Sequence, residues 1–290
     1  MKNYKNKTIV AIGAHHDDIE LFCGGTLVKY IKDGWDAVYI VATTSPHYHL
    51  TEEKEFLSNE DTINMRKKEA EQGAKIIGAN EVHFWDFKSM YWYKENTHKR
   101  LFLDGIRSST ETFSHLKENV PGREFILTAS DIPDIVQYVA DFLEERNPDI
   151  ILTHSPDDES IEHYATGLLV FRATMSLLKK GKNIKLFGWE PGGGGPLVNS
   201  FAPTHYVDVT ETIDVKCKAV KVFHSQIVDH DTSKFVDWCY SRAQIYGNLI
   251  GVKYAEPFIS FNNTKHMFKG WEKVCVPATY DVSKATMEFM

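Results

Sequence analysis

Thr8-Ile9-Val10-Ala11-Ile12-Gly13-Ala14-His15-His16-Asp17-Asp18-Ile19-Glu20-Leu21-Phe22-Cys23-Gly24-Gly25-Thr26 is the stretch from which the fold is read. Its first seven residues are apolar and β-branched at the start, the pattern of a strand buried on both faces. Five ionisable side chains then crowd into the six positions 15–20. Gly24-Gly25-Thr26 reads as the opening of a helical stretch that runs to 32 and stops at Gly34. A buried strand leading through a charged turn into a helix is the first unit of a parallel α/β sheet. In such sheets ligands gather beyond the carboxyl ends of the strands, where this charge falls.

The alternation continues outward along the chain. Strands are expected over 37–43, 82–85, 150–153, 185–189 and 205–209, and helices over 64–78, 135–145, 164–178 and 211–225. The expected fold class is therefore α/β and Rossmann-like: a mostly parallel sheet with helices on both faces. We read residues 1–290 as a single domain with an irregular insertion at about 88–134, rich in aromatic residues such as Tyr91, Trp92, Tyr93, Phe102 and Phe113. That insertion suits a lid, a subunit contact or a small subdomain. The glycine run 192–195 reads as a flexible loop, since no Gly-Lys-Ser/Thr follows it to make a phosphate loop.

Composition narrows the function. The formal net charge of −7 argues against nucleic acid as the main partner, because neutralising phosphates needs a Lys/Arg excess. No segment approaches the roughly 20 apolar residues that cross a bilayer, so no membrane partner is expected. The four cysteines, Cys23, Cys217, Cys239 and Cys275, form no C-x-x-C pair, and scattered thiols suit a reducing cytoplasm. A small-molecule substrate is the expected partner, and the sequence is compatible with assembly of identical subunits.

Two clusters carry chemistry. In the first, His15 and Asp18 stand three apart around a turn and can converge on one cation, which leaves Asp17 beside them as a general base. The competing reading is a solvated acidic loop in which Asp17 or Asp18 caps the next helix. The second cluster, 153–163, follows the strand at 150–153. His163 there would complete a two-histidine, one-carboxylate set with His15 and Asp18, and Glu162 would orient a ligand from behind. Its competing reading is again an acidic loop with a helix cap.

Several ordered motifs together resemble the LmbE/PIG-L deacetylases. The run from Ala14 to Glu20 with Gly24-Gly25-Thr26 is similar to the family's Ala-His-Pro-Asp-Asp-Glu signature. Arg66, Glu69 and Gly78 resemble its arginine-bearing helix, and 146–154 the strand that leads to the second motif. The stretches 203–210, 216–226 and 254–258 are similar to its later part. The resemblance implies a Rossmann-like fold, one divalent metal ion held by His15, Asp18 and His163, Asp17 as general base, and N-deacetylation of N-acetylglucosamine-type compounds. Two-nitrogen, one-oxygen ligation makes Zn2+ the first expectation, with Fe2+, Co2+ and Mn2+ also suited.

Two positions depart from the family pattern. His16 replaces its usual proline, which changes local stiffness, is expected to add a second ring near the metal and leaves His16 itself as an alternative ligand. Ser160 replaces a histidine that stabilises the oxyanion or protonates the leaving amine. Loss of such a donor costs about 2.7–4 kcal/mol. His154, His205 and His224 are alternative sources, with a structural role favoured for each. Arg66 is expected to bind a substrate hydroxyl or phosphate or to brace the site through a carboxylate, with a structural pair to Asp86 or Glu69 as the alternative. Trp85 and the aromatics at 91–93 are weighed as a sugar-facing wall, against a core role. Two further functions stay open: a tailoring amidase for a natural-product intermediate, and a metal- or ligand-binding homologue with impaired catalysis.

Overall fold

A computed structural model describes residues 7–46, 58–90, 125–155, 158–192, 201–226 and 231–261. The elements run β1 (Thr8–Gly13), α1 (Asp18–Lys32), β2 (Asp36–Thr44), α2 (Asn59–Ile77), β3 (Glu81–Lys88), α3 (Ile126–Ala129), α4 (Pro133–Arg146), β4 (Ile150–His154) and α5 (Ile161–Lys179). They continue with β5 (Lys185–Trp189), β6 (His205–Asp208), α6 (Ile213–Val220), a 3-10 turn (His224–Gln226), α7 (Ser233–Ile250) and β7 (Ala255–Ser260). The seven strands form one sheet in the order β3-β2-β1-β4-β5-β7-β6. Pairing is parallel from β3 to β5, and β7 runs antiparallel to both β5 and β6. The α/β, mostly parallel expectation is borne out.

The period of two along each strand sorts side chains between two apolar cores. Ile9, Ala11, Tyr39, Val41 and Leu152 pack against α1, α2, α6 and α7 on one face. Val10, Ile12, Val38, Ile40 and Ile151 pack against α3, α4 and α5 on the other. With both faces covered, the central strands are apolar throughout, which is why they read as continuous hydrophobic runs. Trp85 lies in the second core, edge-on to Phe87 and Phe142, so the sugar-wall reading fails for it. The other members of that wall, at 91–93, lie outside the described residues, as does most of the insertion. Of its described residues, Phe125, Ile126 and Ala129 are buried, the last two in the second core.

Helix ends differ from the sequence reading where local chemistry decides. α1 begins at Asp18, so Gly24 and Gly25 lie inside it; their bare backbones face Lys216 and Val209 across a close approach. α2 begins at Asn59 because the Ser58 side chain accepts from the Asp61 N–H, and it ends at Gly78 with φ 95°. Pro133 starts α4 from its first turn. The helix expected over 211–225 stops at Val220, where the Val222 and Phe223 N–H groups turn to the carbonyls of Ala219 and Val220, and beyond it Glu69 of α2 holds the Ser225 N–H at 3.0 Å and its hydroxyl at 2.6 Å. α7 and β7 were not expected. Among the described residues, no helix is long and apolar enough to cross a membrane.

Glu256 of β7 ties the end of the described chain to its beginning. Its carboxylate accepts the N–H groups of Gly25 (3.0 Å) and Thr26 (2.7 Å) and the Lys216 ammonium (2.6 Å), all buried. Burial works against the charge of Lys216, but Glu256 outweighs it and holds the amine above its usual range. Glu256→Gln leaves that ammonium buried and unpaired, so unfolding free energy should fall by about 3–5 kcal/mol in denaturant titration. Lys216→Met in the same background should restore part of the loss. Equal stability of Glu256→Gln and wild type would show the pair to be inert.

Candidate metal centre

β1 and β4 lie side by side in parallel, with Ile9 opposite Ile150 and Ala11 opposite Leu152. The turns that leave them are therefore neighbours, although 140 residues separate Ala14 from His154. α1 covers one face of the sheet and α5 the other, so a crevice opens between the two turns where the strand order reverses. Gly13 makes the first turn tight enough: a Cβ there would stand 2.9 Å from the Asp18 Cβ. Folded back in this way, Asp18 Oδ2 accepts the His15 N–H at 2.6 Å.

Three expected ligands converge in that crevice. His15 Nδ1 stands 3.0 Å from His163 Nε2, His163 Nε2 lies 3.3 Å from Asp18 Oδ1, and His15 Nδ1 is 3.6 Å from Asp18 Oδ2. Tetrahedral bonds of about 2.0–2.1 Å imply donor edges of about 3.3 Å, close to the edges from His163 Nε2 to His15 Nδ1 and to Asp18 Oδ1. The far side of each ring is held by a carboxylate. His15 Nε2 donates to Glu162 Oε2 at 2.7 Å, and His163 Nδ1 donates to Asp158 Oδ2 at 3.0 Å. The outer nitrogens therefore carry the protons, and the inner ones turn lone pairs toward each other. Two facing lone pairs at this distance need a positive charge between them. Without a cation a proton must serve, and although burial opposes it, Asp18 and Glu162 hold the His15 ring up to about 9.

The supporting carboxylates are themselves fixed. Glu162 accepts from Ser89 Oγ (3.1 Å) and the Met90 N–H (2.7 Å), and Asp158 from the N–H groups of Ser160 (2.9 Å) and Gly192 (3.1 Å). Exposure orders the layers. The side chains of Asp158 and Glu162 are 0 % exposed, whereas those of His15, His163 and Asp17 are 13 %, 11 % and 13 % exposed. The site thus opens on the side of the ligands and Asp17, as a centre that admits substrate must. Asp17 occupies the N-cap position of α1 without a side-chain cap bond; its Oδ1 accepts from Arg66 Nη2 at 3.2 Å. Burial pushes the Asp17 carboxyl up, and Arg66 opposes this.

The remaining candidates fall elsewhere. Arg66 is buried and braces Asp17 and the Ser45 carbonyl; Asp86 pairs with Lys67 and Glu69 with Ser225, so the structure replaces both proposed arginine partners. His16 is fully buried beside Phe84 with neither ring nitrogen hydrogen-bonded, and it belongs to no donor group among the described residues. Ser160 occupies the N-cap position of α5. Glu20, one of the five clustered charges, turns into the core, where the Tyr39 hydroxyl donates to it and burial pushes its carboxyl well above the usual range. His205 packs on Phe187, and His224 is exposed in the 3-10 turn.

Sequence reasoning missed Asp158 and undervalued His154. The His154 ring stacks on His163 at 4.1 Å, accepts the Trp189 indole N–H on Nδ1 (3.2 Å), and meets Asp18 Oδ2 at 3.0 Å with Nε2. His154, Asp158 and His163 also form a donor group by distance. Nearly parallel rings, 18° apart, aim their lone pairs along separate planes, so this group works as the floor beneath the ligands. Asp158 lies in the second acidic cluster and five residues before His163, and that spacing was the signal available for it.

Comparison with known proteins bears on the same residues. The family profile described as PIG-L: GlcNAc-PI de-N-acetylase matches residues 10–174, which hold all three converging ligands. The diacetylchitobiose deacetylase of Thermococcus kodakarensis is 22% identical over 86% of this chain and 81% of its own. The structure of N,N'-diacetylchitobiose deacetylase from Pyrococcus horikoshii superposes with a TM-score of 0.61 at 21% identity, covering 88% of this chain and 83% of that one. The 4-carboxy-2-hydroxymuconate hydratase of Pseudomonas putida KT2440 gives 0.61 at 18% identity, covering 88% and 96%. A deacetylase and a hydratase on one fold mean that the fold alone does not select the reaction.

Glu162→Gln removes the charge that fixes His15 without changing its shape. Divalent-metal affinity, measured by competition with a chelator, should fall about 10–100-fold. Unchanged affinity would show that Glu162 has no hold on the ligand.

Proposed function

This chain belongs to the PIG-L family, and from that premise we propose that it is a zinc-dependent hydrolase removing an acetyl group from the amino group of an amino-sugar-like small molecule. The carrying observation is the pair of imidazole lone pairs facing each other at 3.0 Å, each ring backed by its own buried carboxylate. His15, Asp18 and His163 would hold the ion. Fe2+, Co2+ and Mn2+ suit the same donors, and the two-nitrogen, one-oxygen set makes zinc the first choice. The two diacetylchitobiose deacetylases among the similar proteins support an N-acetyl amino sugar as the substrate class.

A divalent ion at this place supplies Lewis acidity toward the amide carbonyl and acidifies water. Asp17 supplies the base. Arg66 engages its Oδ1, which leaves Oδ2 to take a proton as water attacks the amide carbon. Carbon–oxygen bond formation and carbon–nitrogen cleavage then yield acetate and a free amine, and the amine needs a proton. Ser160 is a poor acid, and His154 spends both ring nitrogens on Trp189 and Asp18. Asp17 therefore returns the proton it took.

Acetate release from N-acetylglucosamine conjugates and N,N'-diacetylchitobiose, lost on exhaustive chelation and restored by Zn2+, is the expected behaviour. Release that persists after chelation would remove the metal from the mechanism. Asp17→Asn should keep its metal and lose about 10²–10⁴ in kcat. Full turnover in that variant would take the base role from Asp17. Ser160→His should raise kcat, by up to about 10²–10³, with metal affinity unchanged, because it restores an acid that a single carboxylate now replaces. A fall in kcat for that variant, with the fold intact, would show that the serine position does not face the leaving group.

A further inference from the structure

We propose that Arg242, on α7, is a positioning residue for the metal centre, acting through Glu190, Pro191 and Gly192 on Asp158 and His163. This rests on the metal reading given above. Arg242 lies outside the region matched by the family profile, on a helix whose buried stripe is Cys239, Arg242, Ala243, Tyr246 and Gly247.

The contacts form a continuous path. Arg242 Nε donates to Glu190 Oε2 at 2.8 Å, and Nη2 donates to Glu190 Oε1 at 2.5 Å and to the Pro191 carbonyl at 3.2 Å. The Tyr246 hydroxyl donates to the same carboxylate. One residue further on, the Gly192 N–H donates to Asp158 Oδ2, the atom that accepts the outer proton of His163. Gly192 also closes over the ring itself: a Cβ there would stand 3.3 Å from His163 Cε1 and 3.1 Å from the Phe22 ring. A second, apolar path runs in parallel. The guanidinium sits 4.5 Å above the Trp238 ring, Trp238 is edge-on to Phe22 at 5.8 Å, and Phe22 is edge-on to His163 at 6.5 Å.

Stability is a weak reason for this arrangement. A buried Arg–Glu pair is costly to desolvate and is often matched by apolar residues of the same volume. What an apolar pair cannot do is fix the turn after β5 at a bidentate angle and hold one backbone N–H on Asp158. The fork of Arg242 does both, and a small cavity of about 20 Å³ beside it leaves the turn room to shift once the fork is gone.

The test compares Arg242→Met, Arg242→Lys, Glu190→Gln and Gly192→Ala with wild type, and with Leu143→Ala, a core truncation on the opposite face of the sheet. Zinc affinity is read by chelator competition, and ligand geometry by the visible spectrum of the Co2+-loaded chain. Arg242→Met and Gly192→Ala should bind zinc about 10-fold more weakly and shift the Co2+ bands. Arg242→Lys should recover part of the affinity. Leu143→Ala should lower Tm and leave zinc affinity and spectrum alone. A folded Arg242→Met chain that binds zinc within twofold of wild type would overturn the proposal, as would equal weakening by Leu143→Ala. Should Arg242→Met fail to fold, Glu190→Gln, which removes the charge the fork holds, decides by the same criteria. A wild-type chain that binds neither ion would overturn the metal reading itself, and this inference with it.

Discussion

Parallel pairing of β1 with β4 is the constraint on which the site depends. Neither turn alone holds the converging donor set: one supplies His15 and Asp18, and the segment after β4 supplies His163. Hydrogen bonds between two buried strands bring the pieces together, and the helices that follow leave on opposite faces. The crevice is a by-product of that divergence. Everything polar then inherits its position from apolar packing, since Ile9, Val10, Ala11, Ile150, Ile151 and Leu152 are all fully buried.

Within the crevice, charge is arranged in layers. Behind the ligands lie carboxylates with no exposed surface, each saturated by backbone or hydroxyl donors. They make the ring orientation a fixed property of the fold. In front, Asp17 keeps a partly open carboxylate steadied by a buried guanidinium. The same residue type serves as anchor in one layer and, in the proposed mechanism, as proton carrier in the other, and burial and partners make the difference.

Much of this was legible in the sequence, for physical reasons. Strands buried on both faces announce themselves as apolar runs, and a dense ionisable cluster just past such a strand is hard to explain without a ligand. His15, Asp17, Asp18 and His163 could be singled out on those grounds, and the structure brings them together. α7 escaped notice because its buried stripe includes Arg242, Tyr246 and Gly247, which do not look like a core face. β7 escaped because Pro257 interrupts it; the Phe258 carbonyl points to the β6 side, so the missing proline donor faces the β5 side beyond the last paired residue, Trp189. Asp158, Trp189 and Gly192 act through contacts that only the folded chain creates. Arg66 braces the site through a carboxylate, one of the roles expected of it; that the carboxylate is Asp17 rather than Glu69 or Asp86 is decided only once the helix that carries Arg66 is placed.

The Glu256 carboxylate bridges residues 230 apart in sequence, and this sets an order of events. The helix that carries Asp18 receives that carboxylate only after the strand bearing it has left the ribosome. Until then Lys216 lacks the carboxylate that receives its ammonium, and the sheet lacks its antiparallel border. A nascent chain cut short before that strand would hold the ligand residues of the crevice without the clasp that closes the body around them. The crevice is encoded early and secured late.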